Sequence, residues 1–244
     1  RQFDYAIRQL EELTKKRFDY DRLSEVMEVS NSTCRWWKKS TELAMHKPSP
    51  LSGFDMFNYM AMVVCMRGNK DGETLFRLWY EELEERMKQD LGPWNNAEEK
   101  YRIMWDGIAC WPHLATTFKT LKKYGVNMVA STYPDSWNIR YEKNDLDALV
   151  RAYASHYANR SIAYSVDNIA KIAEDYSLDG IIFHSNRSCK LMDFKQYEIQ
   201  RQVQQRTGVP AVFFDGDQTD PRVFSDAQYE TRIQALVELM EKNK

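Results

Sequence analysis

The segment His184-Ser185-Asn186-Arg187-Ser188-Cys189-Lys190 gathers an imidazole, a carboxamide, two cations and a thiol into one short polar turn. It follows a short apolar β run, Gly180-Ile181-Ile182-Phe183, and precedes a clear helical pattern. A thiolate is a soft metal ligand, and neighbouring cations favour its ionised form. A metal cluster or an anionic substrate is the chemistry such a turn would serve. A buried structural cysteine is the alternative reading, because a free cysteine also packs well as a small apolar side chain.

Such a turn needs a strand behind it and a helix after it. From residue 93 onward the chain alternates strand and helix patterns, which calls for a parallel sheet covered on both faces. Strands are expected over 101–109, 126–133, 180–185 and 210–214. Helices are expected over 112–124, 146–157, 166–176 (capped by Ser165), 194–206 and 227–241 (capped by Ser225 or Asp226). The pattern gives an α/β fold: a helical region followed by a doubly wound, flavodoxin-like parallel sheet of about four strands. Neither GxGxxG nor a Walker A sequence occurs, which disfavours a standard dinucleotide or P-loop site. Parallel strands share one carboxyl-terminal rim. It collects Cys110, Tyr133, His184, Cys189, Asp215 and Asp217, beside helix N-termini whose N–H groups suit anions.

Residues 1–92 read as almost wholly helical. Phe3, Ile7, Leu10 and Leu13 recur at helical spacing. Asp21 is expected to cap a helix running through Cys34, Trp36 and Trp37 toward Met45, which Lys47-Pro48-Ser49-Pro50 breaks. An apolar helix over 54–66 follows, then one over 73–89 with Leu75, Leu78, Trp79 and Leu83 inward. Cys34 and Cys65 read as packing residues on apolar faces. A composition break near Leu91-Gly92-Pro93 sets the expected organisation, a helical region over 1–92 and an α/β domain over 93–244.

Among 244 residues, 34 Lys and Arg face 36 Asp and Glu with no basic run, which argues against nucleic acid as the main partner. No apolar stretch has the length of a membrane span. The four cysteines stand far apart without CxxC or zinc-type spacing, so a reducing, cytoplasmic setting is expected. Seven Trp and 14 Tyr suit large buried contacts or an extensive partner surface. Arg1 already lies inside a helical pattern, as expected of a piece of a longer protein.

The segments WDGIACWPHL (105–114), YGVNMVASTYPDSW (124–137) and GIIFHSNRSCK (180–190), with the tail from Gly208 to Met240, resemble the carboxyl-terminal part of the 2-hydroxyacyl-CoA dehydratase family. That family includes the ATP-dependent benzoyl-CoA reductases. The HSNRSCK turn followed by QYEIQRQV is the most specific part, and the resemblance is to alpha-type subunits. It implies a lyase subunit that removes water from an (R)-2-hydroxyacyl-CoA, with 2-hydroxyglutaryl-CoA the expected substrate. The β-proton of such a thioester is not acidic, and ordinary acid–base catalysis has no handle on it. The family instead adds one electron to the thioester carbonyl, and the resulting ketyl radical expels hydroxide. The β-proton then becomes acidic and the electron is recycled. The implied cofactor is a 4Fe-4S cluster with one non-cysteine position, and FMN or riboflavin can accompany the complex. The implied partners are a homologous second subunit in a heterodimer, an ATP-dependent iron–sulfur activator and the acyl-CoA.

Only Cys189 matches a cluster-ligand position of the family; the other ligands belong to an amino-terminal α/β domain absent from this sequence. His184 would protonate the leaving hydroxide or orient the substrate, or be a satisfied structural group. Asn186, Arg187 and Lys190 would hold cluster sulfides or the thioester, or cap the next helix. Asp215 and Asp217 suit a base or a metal site, and equally a tight turn. Tyr133 and Trp137 would pack beside an acyl or adenine group, or serve the core. Cys110 packs at a helix start or lines the cleft. The competing functions are an electron-relay or architectural subunit, a benzoyl-CoA-reductase-type subunit, and a metal-free acyl-CoA or nucleotide-binding module.

Overall fold

The computed structural model describes residues 1–95 and 97–243. Strands β1 (Tyr101–Asp106), β2 (Val126–Ser131), β3 (Gly180–Asn186) and β4 (Ala211–Gly216) form one sheet in the order β2-β1-β3-β4, and every pairing is parallel. Every residue of β1, β2 and β3 is buried, as in strands covered on both faces. Helix α5 (Leu114–Lys123) packs on β2 and meets α10 (Asp226–Lys242), which packs on β4. Helix α9 (Lys190–Thr207) packs on β3 and meets α8 (Ile162–Asp175). The expected α/β class with a parallel sheet is the observed one. Strand order reverses between β1 and β3, so the crevice of a doubly wound sheet falls there.

The helices of the first segment are α1 (Gln2–Thr14), α2 (Tyr20–Glu42), α3 (Gly53–Cys65) and α4 (Lys70–Lys88). Trp37 of α2 stacks on Trp79 of α4 with ring centroids 5.7 Å apart. Phe57 of α3 meets Trp105 of β1 edge-on at 5.7 Å and Phe118 of α5 at 5.6 Å. Each such pair adds about 0.5–1.5 kcal/mol beyond its buried area. One apolar core therefore runs from α2 through α3 into the sheet.

Several boundaries differ from the sequence reading. Asp19, not Asp21, caps α2, and Asn69 starts α4 three residues early. Ser161 caps α8, leaving Ser165 buried one turn inside it. Leu78 is exposed and Phe76 takes the inward position. On α1 only Ile7 is buried, while Phe3, Leu10 and Leu13 face out. Cys34 is in the core as expected, but Cys65 is exposed. Thr132 and Tyr133, expected as the end of the second strand, instead begin a short helix, α6 (Thr132–Ser136). Helix α7 (Leu146–Ala154) stops three residues short of the expected end.

The amino-terminal edge of the sheet is closed by Arg102, which is 5 % exposed. Its Nε donates to Tyr176 O, Nη1 to His46 O and Glu99 Oε1, and Nη2 to Ala44 O. Glu99 also accepts from Asn127 Nδ2 at 2.7 Å and from Ser49 N. A buried charge pair survives in a low-dielectric interior only when its remaining hydrogen-bonding groups are also answered.

Candidate functional site

The opposite, carboxyl-terminal edge carries the chemistry-bearing residues. β3 ends at Asn186, Arg187 and Ser188 turn, and Cys189 is the N-cap of α9. The helix starts four residues earlier than the sequence pattern indicated, which puts the thiol at its first turn. Cys189 is half-buried, its side chain makes no capping bond, and its N–H donates to Asn186 O at 2.8 Å. Its carbonyl accepts from Met192 N and Asp193 N. The sulfur is thus left for another partner.

The structure brings His184, Asn186, Cys110 and Asp217 together at the β3–β4 end of the rim, while the Cys189 thiol, on the next turn, acts electrostatically on Tyr133 and Lys195. His184 is 1 % exposed and stacks on Phe214 at 4.7 Å, with Trp105 at 5.7 Å. Nδ1 lies 2.5 Å from Ile108 O. A carbonyl only accepts, so Nδ1 carries the proton and Nε2 a lone pair. Burial lowers the His184 pKa to about 4, leaving a neutral ring. Nε2 is buried without a partner and faces Gly216, where a Cβ would lie 2.6 Å from it. Cys110 is buried, donates its thiol to Asp217 O at 3.4 Å, and has its pKa raised by burial.

Asn186 is 2 % exposed; Oδ1 accepts from Gln218 N at 3.2 Å and Nδ2 has no partner. Arg187 and Lys190 are exposed, and the Arg187 guanidinium lies 3.7 Å from the exposed Asp215 carboxylate. Tyr133 and Trp137 pack against the core, and burial raises the Tyr133 pKa.

Sequence reasoning missed a buried carboxylate beside this cluster. Asp106, at the end of β1, is fully buried and accepts from Thr132 Oγ1 at 2.7 Å, Gln196 Nε2 at 2.8 Å and Tyr157 OH at 3.1 Å. Burial raises its pKa, and the three donors oppose that shift. Gln196 belongs to α9, so Asp106 ties the helix that Cys189 caps to the switch point. A signal was available: Gln196 lies at helical spacing with Met192, Ile199 and Val203 on the buried face of α9, where a polar residue needs a partner.

Among the described residues no group of three or more His, Cys, Asp or Glu could hold a metal ion. Among the described residues, Cys189 is the one thiol of the rim without a hydrogen-bond partner. No helix among the described residues is long and apolar enough to cross a membrane.

Residues 1–240 match the family described as 2-hydroxyglutaryl-CoA dehydratase, D-component, and the chain belongs to that family. It is 48 % identical over its whole length to the (R)-2-hydroxyisocaproyl-CoA dehydratase alpha subunit of Clostridioides difficile, covering 60 % of that protein. It is 43 % identical to the lactoyl-CoA dehydratase subunit alpha of Anaerotignum propionicum, with 99 % of this chain and 58 % of the relative aligned. It is 42 % identical to the (R)-2-hydroxyglutaryl-CoA dehydratase subunit alpha of Acidaminococcus fermentans, with 99 % and 50 % aligned. The chain thus spans roughly half to three fifths of the length of these curated relatives.

Proposed function

We propose that this chain is the thiol-bearing α/β part of a subunit that eliminates water from an (R)-2-hydroxyacyl-CoA to give the 2-enoyl-CoA. The observation that carries the reading is Cys189, a half-exposed thiol without an internal partner on a rim whose other thiol, Cys110, is buried. Cys189 fits one corner of a 4Fe-4S cluster, and its remaining ligands would lie outside this chain. The bound cluster would supply single-electron chemistry. Asn186 Nδ2 is a buried, unanswered donor suited to a sulfide or a thioester oxygen, and Arg187 and Lys190 add positive charge.

In this reading an ATP-dependent activator delivers the electron, and a homologous second subunit completes a cytoplasmic heterodimer. The thioester carbonyl becomes a ketyl, hydroxide leaves, the β-proton departs and the electron is returned. The net change is loss of water. 2-Hydroxyglutaryl-CoA is the proposed substrate, and FMN or riboflavin a proposed companion of the complex. For His184 to protonate the leaving hydroxide, its ring must gain a proton against the burial that lowers its pKa to about 4.

A second reading, an electron-relay or architectural subunit, draws support from the cavities. The cavity of about 390 Å³ beyond β2 is lined by Thr132, Asn138, Arg140, His156 and Tyr157, and Cys189 is not among its lining residues. Anaerobic co-purification of the full-length protein with its partner subunit, followed by iron and sulfide analysis, tests cluster binding. Full iron content and activity in Cys189→Ser would reject the ligand assignment. Dehydration assayed with activator and ATP in cleft variants of each subunit separates catalyst from relay.

A further inference from the structure

Asp217 reads in the sequence as half of a carboxylate pair, and the structure gives it a different task. It is 2 % exposed. Oδ2 accepts from Ser188 N at 3.0 Å and from Ser188 Oγ. Oδ1 accepts from Thr219 N at 2.9 Å, Thr219 Oγ1 at 3.2 Å and Asp220 N at 3.0 Å. A carboxylate offers about four acceptor sites, so these donors leave none for a metal or a substrate proton. The bonds from Ser188, then those from Thr219 and Asp220, hold its pKa well below the usual carboxylate range. Asp215 does not share the site; it is exposed and faces Arg187.

The bonds to Thr219 and Asp220 stay within the loop after β4 and make an Asx-type turn. Those to Ser188 cross to the turn after β3. Two more bonds cross beside them, from Arg187 N to Gly216 O and from Gln218 N to Asn186 Oδ1, each 3.2 Å. Farther along α9, Gln196 is held by Asp106. Cys189 therefore sits between two anchored points, Ser188 on Asp217 and Gln196 on Asp106.

We infer that Asp217 is a positioning residue, which through Ser188 fixes the turn that presents the Cys189 thiol. The inference rests on the proposal that Cys189 is the reactive group of this rim. The ordering of the turn is settled on folding, before any ligand arrives, which spares each binding event the entropy of ordering it.

Alkylation of the cluster-free, full-length protein by iodoacetamide, read peptide by peptide by mass spectrometry, tests the inference. The exposed Cys65 on α3 serves as internal reference. Losing a charge-assisted bond that restrains the turn should raise the Cys189:Cys65 labelling ratio about tenfold in Asp217→Asn and in Ser188→Ala. Ser188→Thr, which keeps both donors, should restore the original ratio. An unchanged ratio in Ser188→Ala overturns the inference, and so does an equal rise at the buried Cys34 and Cys110. If Asp217→Asn unfolds, the Ser188 pair decides alone. Iron retained in Cys189→Ser would sink the ligand proposal while leaving the labelling result intact, so the two failures are distinguishable.

Discussion

At the amino-terminal edge of the sheet, Arg102 finds acceptors for Nε, Nη1 and Nη2, and Glu99 collects donors from three residues. At the carboxyl-terminal edge, His184 Nε2, Asn186 Nδ2, Asp193 Oδ1 and Gln196 Oε1 are buried without partners. A buried polar atom left unanswered costs about 1–3 kcal/mol. One edge is finished for stability, and the other retains unanswered groups that a ligand or ordered water can satisfy. Asp217 shows that the second edge is nonetheless ordered, because it accepts from Ser188 in the turn that carries Cys189 and from Thr219 and Asp220 in its own loop.

The largest effect belongs to the closed edge. Arg102→Ala leaves Glu99 buried without its counter-charge and should cost about 3–5 kcal/mol, measured by urea unfolding. The Cys189:Cys65 labelling ratio should stay unchanged. A cost under about 1 kcal/mol would remove the contrast between the edges.

His184 gives the next effect, confined to acid. Its pKa falls from the ordinary 6.5 to about 4 through burial. Between those values the unfolded chain binds a proton that the folded chain refuses. Stability is therefore full above pH about 6.5 and falls as pH drops toward about 4, by roughly 3 kcal/mol in total. His184→Gln, which can still donate to Ile108 O, should flatten this slope. Urea midpoints at pH about 7.5 and about 4.5 check it; parallel slopes in the two proteins would show that the ring is not sealed in this way.

A smaller effect is expected at Gly107, which has φ +98° and whose added Cβ would lie 2.7 Å from His184 O. Gly107→Ala should cost about 2 kcal/mol from backbone strain and overpacking together. A thermal shift below about 2 °C would mean that the β1–β3 crevice can open at little cost.

The architecture was legible because β1 has an apolar centre, Ile103-Met104-Trp105, and β3 opens on Gly180-Ile181-Ile182-Phe183, each followed by a polar turn. The turn bearing Cys189 was legible for the same reason, since it follows β3 directly. The start of α9 was not. Ser188 is a cap-type residue just before it, but its hydroxyl is bound to Asp217, and Cys189 takes the cap position without a side-chain bond. The Asp106 node was also hidden, because its partners Thr132, Tyr157 and Gln196 are distant in sequence and meet only when the sheet closes. The task of Asp217 could not be read from the spacing of Asp215-Gly216-Asp217, since Ser188 lies on another strand's exit. Local pattern reveals elements; long-range polar pairing has no local signature.

Cys189→Ser should be the mildest of these substitutions in stability and the most severe in function. Among the described residues the thiol has no hydrogen-bond partner, and the N–H groups of Met192 and Asp193 are already taken by the Cys189 carbonyl. A serine hydroxyl can add at most one capping bond, from Leu191 N, so the substitution should cost no more than about 0.5 kcal/mol of unfolding free energy. Iron in the assembled complex and dehydration should nevertheless disappear. Arg102→Ala is its mirror image, costly to the fold and indifferent to the thiol. If Cys189→Ser instead costs more than about 1 kcal/mol, the sulfur is a packing group. The open edge would then be no different in kind from the closed one.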